Sequence, residues 1–210
     1  VTVTNVYEQP VITSGAGDTA AVSISENITA VTTLQSVIDS TGTGKTYSIT
    51  GGADAGLFTI DASTGALSFV SAPNYESPAD AGANNVYDVT VRVSDGILTD
   101  TQDIAVTVTN VNEAPVITSG SGTTAAVNVA ENSTTVTTVA STDVDAGATA
   151  TYSIVDGGDQ SKFNINSSTG ELTFKTGPNY EGASDTGTNN VYDVTVQVSD
   201  GLGGTDTQAI

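Results

Sequence analysis

Carboxylates are the side chains of this protein that could do chemistry, because other common reactive groups are missing. The sequence has 24 Asp and Glu residues but no Cys and no His. Disulfide and thiol chemistry are therefore excluded, and a zinc site built from nitrogen or sulfur ligands is disfavoured. Several acidic residues recur 105 positions apart, among them Glu26 and Glu131, Glu76 and Glu181, and Asp95 and Asp200. Grouped carboxylates could bind a cation, whereas scattered ones would only keep the protein in solution.

The spacing of 105 residues also relates two nearly identical segments. Residues 84–96 read NNVYDVTVRVSDG and residues 189–201 read NNVYDVTVQVSDG, so only Arg92 and Gln197 differ. This period is too long for a solenoid repeat and is typical of an independent domain. The sequence therefore predicts two tandem domains. They are repeat 1 over residues 10–109 and repeat 2 over residues 114–210, joined by a linker at residues 110–113.

The overall charge excludes several partners. Acidic residues outnumber basic ones 24 to 4, for a formal net charge of -20. Binding to nucleic acid or to an anionic membrane surface needs clusters of Lys and Arg, so neither is expected. There is also no run of about 18 apolar residues, so direct membrane insertion is not expected.

The dominant hydrophobic period is two, which predicts β-strands rather than helices. Residues 87–93, 105–108 and 126–129 alternate apolar and polar side chains. In repeat 1 we predict strands near residues 10–14, 20–25, 31–37, 46–50, 57–60, 66–70, 86–94 and 102–109. Two packed sheets would hide one face of each strand. The predicted core consists of Val22, Ile24, Tyr47, Ile49, Phe58, Ile60, Leu67, Phe69, Val89, Val91, Val93, Val106 and Val108.

The two ends of the chain differ from a pair of complete repeats. Residues 1–9 (VTVTNVYEQ) match residues 106–114, and we interpret them as the tail strand and linker of an upstream repeat. Repeat 2 stops at Ile210, before most of its expected last strand. We expect repeat 2 either to be completed by the stray strand or to have a frayed edge. Residues 1–6 of a neighbouring molecule could pair there by strand addition, a route to a self-assembling filament.

Seven motifs follow one another in repeat 2. They are AEN at 130–132, TDVD at 142–145, YSI at 152–154, FNI at 163–165, STGEL at 168–172, NYE at 179–181 and SDG at 199–201. With the linker NVNEAP at 110–115, this order resembles the cadherin repeat, particularly bacterial cadherin-like domains of large surface and secreted adhesins. The resemblance covers essentially the whole chain. It implies a seven-stranded Greek-key β-sandwich of immunoglobulin-like architecture, with calcium bound at each junction.

The resemblance also implies a ligand set for the junction between the repeats. Carried over by position, the ligands are Glu26 and Glu76 from repeat 1, Asn110, Asn112 and Glu113 from the linker, and Asp143, Asp145 and Asp200 from repeat 2. The linker is one residue shorter than the family pattern and has Asn110 where Asp is usual. Two to three Ca²⁺ ions would bring roughly +4 to +6 to offset the six carboxylates. Oxygen ligands favour Ca²⁺ over transition metals, and Mg²⁺ prefers fewer protein ligands. Alternatively, these acids only cap turns.

The start of repeat 1 departs from this pattern. The positions that match Asp143 and Asp145 hold Ile38 and Ser40, and Asp39 is out of register. We therefore predict that a junction before repeat 1 binds fewer calcium ions or none.

A second acidic loop, D-x-G-x-N, follows each NYE motif, at residues 80–84 and 185–189. It has too few acids for an EF-hand, so we interpret it as a solvated turn.

The favoured function is a calcium-rigidified extender and adhesion module, extracellular at the cell surface or secreted. Its partners would be the neighbouring repeats, and self-association could be homophilic or by strand addition. The alternative is a carbohydrate-binding module that uses exposed aromatics, for which Tyr7, Tyr75 and Tyr180 are candidates, although for Tyr75 and Tyr180 packing is the simpler interpretation. An enzyme is not expected, because no nucleophile motif exists and the acids do not flank a cleft.

Overall fold

The computed structural model describes residues 1–4, 6–15, 17–38, 44–120 and 122–210. They form two units, Val1–Val111 and Asn112–Ile210. Regular structure in both units is β-sheet, interrupted by single 3₁₀ turns. The predicted all-β fold is therefore confirmed. Asp39 and Ser40 lie outside the described residues, so the prediction made on them is not examined by the structure.

The described part of the first unit contains nine strands. They are β1 (Val11–Ile12), β2 (Thr19–Ser25), β3 (Ala30–Thr33), β4 (Ser36–Val37), β5 (Thr46–Gly51), β6 (Phe58–Ile60), β7 (Ala66–Phe69), β8 (Val86–Ser94) and β9 (Thr99–Thr109). The 3₁₀ turn Ala55–Leu57 directly precedes β6. The larger sheet has the order β2-β9-β8-β5, the smaller has the order β3-β7-β6, and β1 pairs with β4. Only the β2–β9 pair among these is parallel.

Alternation along β8 builds the core of the first unit. Tyr87, Val89, Val91 and Val93 are buried, while the residues between them are exposed or half-buried. Phe69 stacks on Phe58 at 4.4 Å between ring centroids and meets the Tyr87 ring edge-on at 5.0 Å, so aromatic contacts connect the two sheets. Every residue of the predicted core is either buried or packed against the buried cluster. The alternating pattern therefore identified the inward face correctly.

The strand predicted over residues 31–37 is two short strands instead. The first of them, β3, pairs with β7, whereas the second, β4, pairs with β1. Leu34 lies between them with its side chain buried, and its N–H donates to the Gly65 carbonyl at 2.9 Å. Because the chain changes partner at this point, Leu34 and Ile12 enter the core although the sequence did not indicate them.

The second unit repeats this plan without a counterpart of β2, and only its last two strands are shorter than their counterparts. They are β10 (Val116–Ile117), β11 (Thr135–Thr138), β12 (Ser141–Thr142), β13 (Thr151–Asp156), β14 (Phe163–Ile165), β15 (Glu171–Phe174), β16 (Thr195–Ser199) and β17 (Thr205–Ala209), with the 3₁₀ turn Gln160–Lys162 before β14. Its sheets have the orders β11-β15-β14 and β13-β16-β17, and β10 pairs with β12. Phe163, Phe174 and Val196 are among its buried core residues.

The second unit has no counterpart of β2 within residues 122–134, all of which the structure describes. The alternation at residues 126–129 predicted a strand there, and this prediction is wrong: the segment makes one isolated parallel bridge, between Thr124 and Ala209. In the first unit β2 pairs with residues 103–109 of β9, and no described residue of the second unit takes the position of residues 105–109. An alternating segment without a partner strand has no ladder to join.

Candidate metal centre

Glu26 follows β2 directly and is almost fully buried, with 1% of its surface exposed. Its Oε2 accepts a hydrogen bond from the Tyr75 N–H at 2.9 Å, and its Oε1 accepts one from the Val111 N–H at 2.8 Å. The Glu26 N–H in turn donates to the Thr109 carbonyl at 3.0 Å. The two donors to the carboxylate lie 49 and 85 residues away in the sequence. The folded first unit therefore fixes both oxygens of this carboxylate.

Glu76 brings a second carboxylate close to the first. One of its oxygens and one oxygen of Glu26 lie within 4.8 Å of each other. At that distance two unit negative charges repel by roughly 3 kcal/mol when the effective dielectric constant is about 20. Asn110 directly follows β9 and precedes Val111, whose N–H Glu26 holds. The first unit thus brings Glu26 and Glu76 together, and Asn110 precedes Val111, whose N–H Glu26 accepts.

Asp143 and Asp145 form a turn directly after β12 in the second unit. The Asp145 N–H donates to Asp143 Oδ1 at 2.9 Å, which is the local bond that an Asp makes two residues ahead. The buried Asp145 accepts the Glu113 N–H on its Oδ2 at 2.8 Å. The structure therefore brings Asp143, Asp145 and Glu113 together.

Asp200 lies in the turn between β16 and β17 and is also buried. The Asn112 side chain donates to its Oδ2 at 2.8 Å, and the Leu202 N–H donates to its Oδ1 at 2.7 Å. The hydrogen bond from Asn112, with those from the backbone of this turn, holds the pKa of Asp200 below its ordinary value although desolvation opposes the shift. Asp200 is thus kept ionised, as a metal ligand must be.

Gly204 supports Asp200, and the sequence analysis missed it. Its N–H donates to both Asp200 oxygens at 3.0 Å, and a Cβ at Gly204 would collide with Asp200 Oδ2 and lie 2.8 Å from Ala114 Cα. A signal for it exists in the repeat. Gln102 and Gln208 make equivalent hydrogen bonds, yet seven positions separate Asp95 from Gln102 and eight separate Asp200 from Gln208. The extra residue in the turn indicates a changed local geometry.

The carboxylate of Asp143 tests whether the residues of this site suit a metal ion. Its Oδ2 is buried and has no hydrogen-bond partner among the described residues. Leaving such an acceptor unsatisfied costs about 1–3 kcal/mol, and more when the group is charged. A hard cation would satisfy it, and Ca²⁺ takes six to eight oxygen ligands from carboxylates, amides and carbonyls. The side chains predicted as ligands offer oxygen atoms of these types, so the residues present fit Ca²⁺.

The corresponding end of the first unit is different. Tyr7 occupies the position that matches Asn112, 105 residues earlier, and Ile38 matches Asp143. Burial would raise the pKa of Asp95, but hydrogen bonds from the Ile97 and Leu98 backbone and from the Tyr7 hydroxyl lower it below its ordinary value. Asp95 therefore has a phenol hydroxyl, that of Tyr7, as its side-chain hydrogen-bond donor. The second unit has the Asn112 amide in that role and carries two further aspartates, Asp143 and Asp145.

The two D-x-G-x-N loops are exposed turns, as predicted: residues 81–84 and 186–189 are exposed, and only the leading aspartates are buried. Asp80 accepts the Asn84 and Asn85 N–H groups at 3.0 Å each, and Asp185 accepts the Asn189 N–H at 2.9 Å. Both aspartates are buried, and the backbone N–H groups of their own loops supply hydrogen bonds to their carboxylates, so each loop closes on itself.

The aromatic residues next to the ligand positions are exposed. Tyr75 is 39% exposed and Tyr180 is 68% exposed, so neither ring is enclosed in a core. Tyr87, by contrast, is buried between the two sheets of the first unit.

Residues 125–209 match the family model described as Cadherin domain. Protocadherin Fat 1 of Homo sapiens is 35% identical over 133 residues, which is 60% of this chain and 3% of that protein. Halomucin of Haloquadratum walsbyi (strain DSM 16790 / HBSQ001) is 58% identical over 38 residues, 18% of this chain and a rounded 0% of that protein. This chain therefore spans a very small part of the length of both relatives. The structure of mouse Cadherin-23 EC22-24 is similar with a TM-score of 0.56 at 20% identity, and the match covers 96% of this chain and 65% of that one.

These similarities concern the fold of the chain and the family of one of its segments. Both units have the cadherin-like β-sandwich fold, and residues 125–209 match the Cadherin domain family. Cadherin domains generally bind Ca²⁺ and are adhesion modules rather than enzymes, so the prediction of a non-enzymatic protein is confirmed. Within the part of the chain that the structure describes, no helix has the length and hydrophobicity needed to cross a membrane.

Proposed function

We propose that this chain is a calcium-stiffened extender of a cell-surface or secreted adhesin, with Ca²⁺ bound where repeat 1 meets repeat 2. The observation that carries the proposal is the attachment of both sets of carboxylates to one short piece of backbone. Glu26 holds the Val111 N–H, and Asp145 holds the Glu113 N–H. Residues 111 and 113 are separated by two peptide units, which span at most about 7 Å. Covalent geometry therefore limits how far apart the two anchored N–H groups can lie.

The charge of these groups argues for a cation rather than for turn capping. Six carboxylates belong to the proposed ligand set, and Glu26 and Glu76 already lie within 4.8 Å of each other. Turn capping explains the hydrogen bonds to Asp145 and Asp200, but it leaves Asp143 Oδ2 without a partner. When bound, calcium supplies charge neutralisation and coordination shared between carboxylates of different segments.

The protein residues prepare this site. Tyr75 and Val111 orient the Glu26 oxygens, and the Asp145 backbone turns Asp143 so that one of its oxygens stays available. Asn112 and the turn after Asp200 hold that carboxylate ionised. Extracellular calcium modules have dissociation constants of about 10⁻⁴–10⁻³ M, so the linker would stiffen outside a cell. In this proposal the stiffness of the rod is the function.

The proposal is tested by calcium titration calorimetry and by thermal melting in calcium and in chelator, on the chain and on Asp143→Asn. The asparagine keeps the oxygen that accepts the Asp145 N–H, so stability in chelator should change little. Calcium binding should weaken on the order of tenfold or more, because a charged ligand oxygen is lost. Asp156→Asn is the matched control, since it removes one exposed negative charge in β13 outside the ligand set. Equal calcium binding by both variants would refute the site.

A second candidate function is polysaccharide binding, which the exposure of Tyr75 and Tyr180 favours. Exposed tyrosine rings can stack on sugar rings, as amphipathic aromatics do at many interfaces. Retention on an immobilised acidic polysaccharide such as alginate, lost in Tyr180→Ala, would support it. Tyr192→Phe is a suitable control, because it keeps the ring that contacts Phe174 and removes only a hydroxyl.

We further propose a prokaryotic source, supported by the halomucin match and by a composition rich in Thr, Val, Ser, Ala and Gly with few Lys residues.

A further inference from the structure

Arg92 is the only arginine of the chain, and it lies on the outward face of the larger sheet of the first unit. Its neighbours along β8, Val91 and Val93, are buried, so alternation directs the Arg92 side chain away from the core. The side chain is half-buried, and its Nε is buried without a hydrogen-bond partner among the described residues. Because a guanidinium stays protonated, this N–H is a donor that lacks an acceptor. A change of rotamer on the open face would bring it to a ligand.

The repeat shows that the fold does not require this arginine. Residues 84–96 and 189–201 differ only at Arg92 and Gln197. Each of these two residues is flanked in register by one serine and one threonine of the neighbouring strands. They are Ser48 and Thr101 beside Arg92, and Ser153 and Thr207 beside Gln197. The same sheet position with the same neighbours therefore accepts an uncharged side chain, so the charge at Arg92 has a role other than folding.

The acidic residues of this sheet face lie towards the other end of β8. Asp103 is in register with Thr90, and the Thr90 hydroxyl donates to Asp103 Oδ1 at 2.6 Å. Asp88 precedes Arg92 by four residues, which corresponds to about 13 Å along a strand. The positive charge and the two negative charges therefore occupy different parts of the face.

A groove of about 390 Å³ lies on the same face, and Thr90, two residues before Arg92, is part of its wall. Asp88, Asp103, Gly52 and Ala105 also line it. Its volume lies within the range of small-molecule sites. Carboxylates accept hydrogen bonds and hydroxyls both donate and accept them, so the groove suits a ligand with several hydroxyl groups.

The rest of this face favours a sugar over a protein partner. Strands β2, β5, β8 and β9 are described in full, and none of the large exposed hydrophobic residues lies on them. The core of a protein–protein interface is enriched in aromatic and other apolar residues, which this face does not offer. Hydroxyl and carboxylate groups beside one guanidinium are instead suited to a ligand that carries hydroxyls and a carboxylate.

We propose that this face binds an acidic saccharide, with the carboxylate of one uronate residue on Arg92 and a neighbouring neutral sugar in the groove. A guanidinium can hold a carboxylate by two parallel hydrogen bonds. Asp88 and Asp103 accept hydroxyl protons from the neutral sugar and repel a second carboxylate. Charges more than about 8 Å apart are largely screened at physiological salt, so the net charge of -20 does not prevent the binding of a ligand with one carboxylate.

This inference does not depend on the calcium proposal or on the exposed tyrosines. The groove and Arg92 include none of the proposed metal ligands, and they include neither Tyr75 nor Tyr180. Failure of this site and failure of the other two proposals can therefore be observed separately.

The first experiment is a titration followed by ¹H–¹⁵N NMR in chelator, so that calcium cannot bridge carboxylates. Since the chain has one arginine, its Nε–H gives a single signal of this type. The probe is glucuronosyl-xylose, which joins one uronate to one neutral sugar, and it should shift the Arg92 Nε–H and the backbone signals of residues 88–92 and 103–105. Digalacturonate, which has a second carboxylate, should bind several-fold more weakly. No shift, or the same shift with acetate at equal concentration, would overturn the proposal.

Substitutions assign the two parts of the site. Arg92→Gln installs the residue that repeat 2 has, so it should melt like the wild type and bind glucuronosyl-xylose on the order of tenfold more weakly or worse. Arg92→Lys keeps the charge but loses the planar pair of donors, and it should also bind several-fold more weakly. Equal binding by the wild type and either variant would refute the role of Arg92.

The groove is tested by filling it. Ala105→Leu places a larger side chain in the groove and should weaken binding without altering Arg92. Thr107→Leu is the matched control, because it makes a similar change at the next outward position of β9, outside the groove. Equal binding by these two variants would overturn the assignment of the groove. Loss of binding in Tyr180→Ala but not in Arg92→Gln would place the saccharide on the tyrosine surface and refute this site.

Discussion

Replacing Glu26 by Gln separates the structural role of this residue from its proposed role in calcium binding. Glutamine has nearly the same size but only one side-chain acceptor oxygen, whereas Glu26 accepts N–H groups from both Tyr75 and Val111. One of these donors would face the glutamine NH₂ group, and losing that hydrogen bond in a buried site costs about 1–3 kcal/mol. The substitution also removes the repulsion between Glu26 and Glu76 within 4.8 Å. That repulsion is about 1–3 kcal/mol for effective dielectric constants of roughly 80 to 20.

These two effects have opposite signs and similar size in the absence of calcium. We therefore expect the free energy of unfolding in chelator to change by less than about 2 kcal/mol. In calcium the balance differs, because the wild-type protein gains binding free energy that the variant loses. At about 10 mM Ca²⁺, a site with a dissociation constant of about 10⁻³–10⁻⁴ M adds about 1.4–2.7 kcal/mol. For a domain of about 100 residues this raises Tm by about 6–20 °C.

Differential scanning calorimetry in calcium and in chelator measures both effects. Glu26→Gln should lose most of the calcium-dependent rise in Tm of the first unit. Glu131→Gln is the matched control, since Glu131 holds the same position in repeat 2 but is exposed and accepts the Tyr180 N–H at only 3.3 Å. It should keep the wild-type response to calcium. A full calcium-dependent rise in Glu26→Gln would refute the reasoning, as would a loss of several kcal/mol in chelator.

Two further predictions concern the second unit. Gly204→Ala should destabilise the second unit by about 1–3 kcal/mol and weaken calcium binding, because the new Cβ displaces the Asp200 carboxylate. Gly56→Ala is the calorimetric control: its Cβ would have no atom within 4 Å, so the substitution should change stability little. For Asp185, desolvation is outweighed by backbone hydrogen bonds from its turn, which lower its pKa below 3.8. Its contribution to stability is therefore present above the unfolded-state pKa and is lost as the pH falls through the lower folded-state pKa. Urea unfolding between about pH 5 and pH 2 should show this loss in the wild type and not in Asp185→Asn, and identical pH profiles would contradict it.

Much of the fold could be predicted because its signals are local. The alternation in residues 87–93 places every second side chain on one face, whatever the partner strand is. Strands β5, β6, β7 and β8 accordingly lie within a few residues of their predicted bounds. The strand predictions failed where the partner strand determines the structure. Residues 31–37 divide between two partner strands, and residues 126–129 alternate without forming a strand.

The candidate site shows the same division. The residue types at Glu26, Asp143 and Asp145 could be predicted from the repeat and its resemblance to cadherins. The N–H groups that orient Glu26 could not, since they come from Tyr75 and Val111 at long range.

By itself, the sequence determined that this protein is a tandem of acidic β-domains with only oxygen ligands to offer, because composition and period do not depend on the fold. Tertiary structure alone decided which carboxylate oxygens are held by backbone and which one stays without a partner. The physical reason is that hydrogen bonds join residues that are distant in the chain. Whether Asp143 Oδ2 is satisfied therefore depends on what the folded chain places next to it.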